Sequence, residues 1–60
     1  MKITEQKNGW YTVFDKENCW YVVTLRRPDG EVYDNMRCDT YRDARVYLGA
    51  FNRIAKNIEA

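Results

Sequence analysis

Few residues in this chain are equipped for chemistry. Histidine is absent, which removes the commonest general base and metal ligand near neutral pH. Thiols occur at Cys19 and Cys38. With no second cysteine pair and no histidine they spell no zinc site, and neither has an obvious partner base to make it a nucleophile. The carboxylates Asp15, Glu17 and Asp29 sit in turn-like stretches and some others, such as Asp43 next to Arg42, lie beside basic residues, with no evident facing pair for general acid–base work. Gly9 and Gly30 belong to hairpin-turn signals, so no phosphate-cradling loop is written. The expectation is a protein with no catalytic residues, no metal site and no cofactor.

If side chains are not arranged for reaction, they are arranged for packing and contact. The chain has 60 residues, 45% hydrophobic and 32% charged, with a formal net charge of +1. That length predicts one small domain with a marginal core. Aromatic residues at 15% supply enough burial to argue against disorder. The near-neutral total forces neither a nucleic-acid partner nor a basic one. The opening Met1-Lys2-Ile3-Thr4-Glu5 turns polar at once, unlike a secretory leader, and no run is apolar enough to span a membrane. The expected location is the cytoplasm, with reduced thiols. A single Cys19–Cys38 bridge stays open as an alternative, because both residues fall on neighbouring strands.

Residue type predicts strands over about 2–6, 10–14, 19–26 and 31–38. Trp10 to Phe14 is β-branched or aromatic throughout, and Cys19 to Arg26 is the strongest strand signal. Lys7-Asn8-Gly9 and Pro28-Asp29-Gly30 are turn signals, and Asp15 to Asn18 reads as a polar loop. The period then changes. Asp39 or Thr40 can cap a helix there, and Asp43 stands three residues after Thr40 in the spacing of a capping box, with Asp in place of the usual Glu. Ala44, Tyr47, Leu48, Phe51, Ala55 and Ile58 fall within roughly 100° of a helical wheel. The helix is expected over about 40–58. The fold class is α+β: a three- to four-stranded antiparallel sheet with one C-terminal helix packed on one face.

One helix roofs one side of a sheet. Alternation along the strands puts Tyr21, Val23, Leu25, Val32 and Met36 under the helix. The other side then carries Trp20, Val22, Thr24, Arg26, Tyr33, Asn35 and Arg37, with Trp10, Thr12 and Phe14 expected beside them. An aromatic surface edged by arginine has the composition of binding hot spots, and makes Trp10, Phe14, Trp20, Arg26, Tyr33 and Arg37 the candidate partner-binding residues. The competing reading is a second small cluster of Trp10, Phe14 and Trp20, shielded by the N-terminal strand. On the helix, Arg42, Arg45, Arg53 and Lys56 fall within about 80° of one another, opposite the apolar stripe. Such a ridge can follow a phosphate backbone or an acidic partner, or simply serve as a solvated face.

The segment "WYVVTLRRPDGEV" followed by "DTYRDARVYLGAFNRIA" resembles the AP2-like arm-binding domain at the N-terminus of phage-type tyrosine integrases. The resemblance runs from about residue 10 to 58. It rests on Trp20 opening a strand, the Asp29-Gly30 turn, Thr40 leading a helix, Ala44, and Tyr47-Leu48 with Phe51. It implies a sheet laid into the DNA major groove, a geometry that a strand ribbon fits. By position the readers would be Trp20, Thr24, Arg26, Asn35 and Arg37, with Arg42, Arg45, Arg53 and Lys56 as the cationic helix stripe. The chain departs from the family after the turn, where Glu31, Asp34 and Asn35 replace a run of lysines and arginines.

Three readings follow. The first is a non-catalytic binding module, of the kind found in phages and mobile elements, that inhibits or adapts a larger protein machine. The second is an AP2-like DNA-binding regulator. The third is a structural homodimer or assembly subunit with Trp10, Phe14 and Trp20 at its interface.

Overall fold

The structure, a computed structural model, describes residues 1–58. Four strands, β1 (Lys2–Glu5), β2 (Tyr11–Glu17), β3 (Trp20–Arg26) and β4 (Val32–Cys38), precede one helix, α1 (Tyr41–Asn57). The strands form a single antiparallel sheet in sequence order, β1-β2-β3-β4. The expected α+β architecture is present, and α1 lies across one face of the sheet.

Two of the hairpin turns are built alike. In the first, the Gly9 N–H donates to the Gln6 carbonyl at 3.0 Å and the Gln6 N–H to the Trp10 carbonyl at 2.8 Å. In the second, the Gly30 N–H donates to the Arg27 carbonyl at 2.9 Å and the Arg27 N–H to the Glu31 carbonyl at 2.9 Å. Each is a three-residue hairpin loop closed by a glycine in the left-handed region, with φ of 93° at Gly9 and 94° at Gly30. The residue before each glycine accepts from the backbone two positions on: Asn8 Oδ1 from Trp10 N at 3.0 Å, Asp29 Oδ1 from Glu31 N at 2.9 Å. The turns also abut, because a Cβ on Gly9 would stand 3.0 Å from Pro28 Cβ.

The β2–β3 turn differs from expectation. Asp15, Lys16 and Glu17 extend β2, and only Asn18 and Cys19 turn the chain, with Glu17 paired to Trp20. Asn18 takes the left-handed conformation at φ 54°, which asparagine tolerates better than most residues. This shorter turn fixes the register and so decides the faces. Phe14 pairs with Val23 and Thr12 with Leu25. Phe14 and Thr12 therefore lie under the helix, not on the uncovered side where the sequence placed them.

β4 carries a second departure. Leu25 pairs with Asp34 but Arg26 pairs with Val32, which marks a bulge at Tyr33. Val32, expected under the helix, is exposed. Tyr33 turns edge-on to Trp10, with ring centroids 5.2 Å apart.

The core is Val23, Leu25, Cys38, Ala44, Phe51 and Ala55, with Trp10, Phe14, Tyr21, Met36 and Leu48 packed around it. Ala44, Ala55 and Thr12 are fully buried, and their small side chains let the helix sit close to the strands. Thr12 remains satisfied because its Oγ1 donates to Asn52 Oδ1 at 2.6 Å. Tyr47, expected in the core stripe, lies at its margin and is exposed.

The helix starts as its sequence predicts. Thr40 is the N-cap, accepting from the Asp43 N–H at 3.1 Å. Its far end is held by the first hairpin. Asn8 Nδ2 donates to the Ala55 carbonyl at 2.8 Å, which also accepts the Ile58 N–H at 3.4 Å, and to the Ile58 carbonyl at 2.7 Å just past the helix end.

Candidate functional site

The uncovered side of the sheet follows from the pairing. Residues paired directly across strands share a face, so Trp20, Val22, Thr24 and Arg26 of β3 lie with Tyr11, Val13, Asp15 and Glu17 of β2. Ile3 and Glu5 of β1 extend this face on one side, and Asn35 and Arg37 of β4 extend it on the other. Trp20 is 41% exposed and Ile3 57%. Both strand centres, Val13 and Val22, are half-buried by their neighbours alone. No element of the described chain crosses this side.

Within it, the Arg37 guanidinium stands over the Trp20 ring at 5.9 Å from the centroid, diagonally across the β3–β4 pair. A cation held on an indole face is partly desolvated before any partner arrives. Thr24 and Asn35 are directly paired beside them. Arg26 is committed elsewhere: its Nη1 donates to the Gly30 carbonyl at 2.6 Å, and it braces the hairpin. Asp15 carries an ion pair of 4.0 Å with the amino terminus. Glu5, Asp15 and Glu17 make one flank of the face acidic.

The candidate residues thus separate. Trp20 and Arg37 come together on the uncovered face. Trp10 and Tyr33 meet at the hairpin end, where Arg27 lies 5.8 Å from the Trp10 ring and 5.4 Å from the Tyr33 ring. Phe14 joins Tyr21 and Tyr41, with centroid distances of 6.1, 5.8 and 5.7 Å within the trio. Arg42, Arg45, Arg53 and Lys56 are all exposed on α1, on the opposite side of the sheet from Thr24, Asn35 and Arg37. The nine residues proposed for DNA therefore do not form one surface.

Arg27, Tyr41 and Asn8 were not singled out from the sequence. Arg27 follows Arg26 in a turn, and only the β4 bulge reveals what it touches. Asn8 carried a signal as a turn residue, but not as a cap on a helix distant in sequence.

Both cysteines are free, Cys19 exposed and Cys38 buried. Burial raises the Cys38 thiol above its ordinary value, and the Asp43 and Asp39 carboxylates raise it further. Such a thiol is held protonated and unreactive. Among the described residues no group of three His, Cys, Asp or Glu converges to hold a metal ion, and no helix is long and apolar enough to cross a membrane.

Compared with protein-family models, curated proteins and solved structures, the chain matches none.

Proposed function

We propose that this chain is a non-catalytic protein-binding module that docks through the uncovered face of its sheet. The observation that carries this reading is the one-sided roof: α1 covers Val23 and Leu25, while Trp20, Val22 and Val13 face outward with no element of the described residues above them. An apolar strip with an aromatic–arginine pair at its edge and mixed charge at its rim has the anatomy of a protein interface. The face is a poor match for a DNA groove, since Glu5, Asp15 and Glu17 would meet phosphates and Arg26 is already spent on its hairpin. A module of this size acts by occupying a surface of a larger protein, as small inhibitors and adaptors of phages and mobile elements do, and its free cysteines suit the cytoplasm.

The test is affinity capture with the native chain and with Val22→Arg, each checked for folding by circular dichroism. A partner retained by the native chain and lost with the variant supports the reading. A partner held equally by both, or tight retention of duplex DNA by the native chain, overturns it.

A further inference from the structure

A separate surface runs along one flank of the helix. Two hollows, of about 420 and 370 Å³, lie end to end there. The first is bounded by Lys2 of β1, Phe14 of β2, and Tyr41, Arg45, Gly49 and Asn52 of α1. The second lies between Lys7 and Asn8 of the first hairpin and Lys56 and Ile58 at the helix end. The helical residues Tyr41, Arg45, Asn52 and Lys56 recur at intervals of four or seven, and so make one stripe. The opposite bank is β1 and its hairpin, because Lys2 and Thr4 pair with Phe14 and Thr12 on the helix side.

Among the described residues, charge in this groove has one sign: Lys2, Arg45, Lys7 and Lys56 line it, and no carboxylate among those residues does. Glu5 points to the other side of the sheet. Asp43 lines a different hollow, beside Cys38 and Tyr47. The chain as a whole carries a net charge of only +1, so the groove concentrates positive potential that the molecule otherwise balances. Phe14, Leu48 and Ile58 supply apolar patches between these polar groups. At Gly49 an added Cβ would meet nothing within 4 Å, leaving the helix bank open.

We infer that the β1–α1 groove binds an acidic, extended segment of a protein partner. Tyr41 to Lys56 spans about 23 Å along the helix, the length of about seven extended residues. Alternating side chains of such a segment place carboxylates against the cations and apolar groups against the apolar patches. A nucleic-acid strand is the weaker match, because it needs free aromatic faces for its bases. The Tyr41 ring is already engaged by Arg45 at 5.9 Å and by edge contacts with Phe14 and Tyr21.

The probe is a fluorescent peptide of about eight residues alternating Glu and Leu, titrated by anisotropy at low and high salt. Oligothymidylate of equal charge is titrated in parallel. The native chain is expected to bind the peptide at low salt and release it at high salt, with amide shifts confined to β1, the first hairpin and the Arg45–Lys56 flank. Arg45→Glu with Lys56→Glu is expected to weaken binding at least tenfold. Gly49→Leu, which fills the groove without changing charge, should weaken it several-fold. No peptide binding at low salt, shifts spread over the whole surface, or tighter binding of the oligonucleotide overturns the inference. The shift map uses the native chain, so it decides the matter even where a variant does not fold. Failure here leaves the sheet-face reading standing, since Val22 lies on the other side of the sheet.

Discussion

Asn8 Nδ2 and the Ala55 carbonyl oxygen are 2.8 Å apart, and the same amide reaches the Ile58 carbonyl at 2.7 Å. A turn in the first hairpin thereby serves as a cap at the C-terminal end of α1. Asp29 holds the equivalent place in the second hairpin, but a carboxylate has no N–H to donate. The cap therefore requires the amide as well as the turn propensity.

Asn8→Asp should keep the hairpin turn, lose both cap bonds and set a negative charge against the helix C-terminus. Asn8→Ala should cost about 1–2 kcal/mol from the lost hydrogen bonds. Asn8→Asp should cost about 1 kcal/mol more at neutral pH, from repulsion by the terminal carbonyls. Urea denaturation at pH 7 and pH 3 checks this: the gap between the two variants should narrow at the lower pH, where the introduced carboxylate is protonated.

The glycines divide by their surroundings. Gly9→Ala forces an L side chain into positive φ and sets its Cβ 3.0 Å from Pro28 Cβ, so it should destabilise by about 1–3 kcal/mol. Gly49→Ala places a methyl in open space on a helix and should stabilise by about 0.5–1 kcal/mol. Thermal melts of the two variants should move in opposite directions.

Quenching should separate the tryptophans. Trp20 stands at the uncovered face and is 41% exposed, whereas Trp10 packs against the core beneath Tyr33 and Arg27. Acrylamide should quench Trp10→Phe, which retains Trp20, more strongly than Trp20→Phe, which retains Trp10. Equal quenching would show that the uncovered face is occupied in solution.

Cys38 should make stability fall at alkaline pH. Its folded-state pKa lies above the ordinary 9.0 because of burial, with Asp43 and Asp39 adding to the effect. The folded chain then holds this proton after the unfolded chain has released it. The stabilisation is complete below about pH 9 and is lost as pH rises from there through the folded-state value. Cys38→Ala should show a shallower loss over that window in urea titrations. Alkylation should label Cys19 well before Cys38.

Much of the fold was legible in local chemistry. Pro28-Asp29-Gly30 closes a hairpin, Thr40 caps the helix, and Ala44, Phe51 and Ala55 face the strands. The cationic ridge of Arg42, Arg45, Arg53 and Lys56 was also visible at helical spacing. The faces of β2 were not, because Asp15 to Glu17 are polar and weak in strand propensity. Pairing with β3 alone, Asp15 to Val22, Lys16 to Tyr21 and Glu17 to Trp20, draws these residues into the ladder, and the resulting register carries Phe14 and Thr12 beneath the helix. The bulge at Tyr33 has no marker of its own, since Val32 and Tyr33 both suit a strand. The groove was hidden for another reason: Lys2 and Lys7 join Arg45 and Lys56 only after the sheet and the helix have met.

The bonds from Asn8 cross 47 and 50 positions of sequence, while the hairpins that precede them close over a few. During vectorial synthesis the strands can therefore zip in the order in which they leave the ribosome, but the latch between the first loop and residue 58 must wait until some fifty further residues have followed it. Until then the amide of Asn8 and the Ile58 carbonyl are left to water, and the nascent domain holds its N-terminal hairpin only from the side of β3.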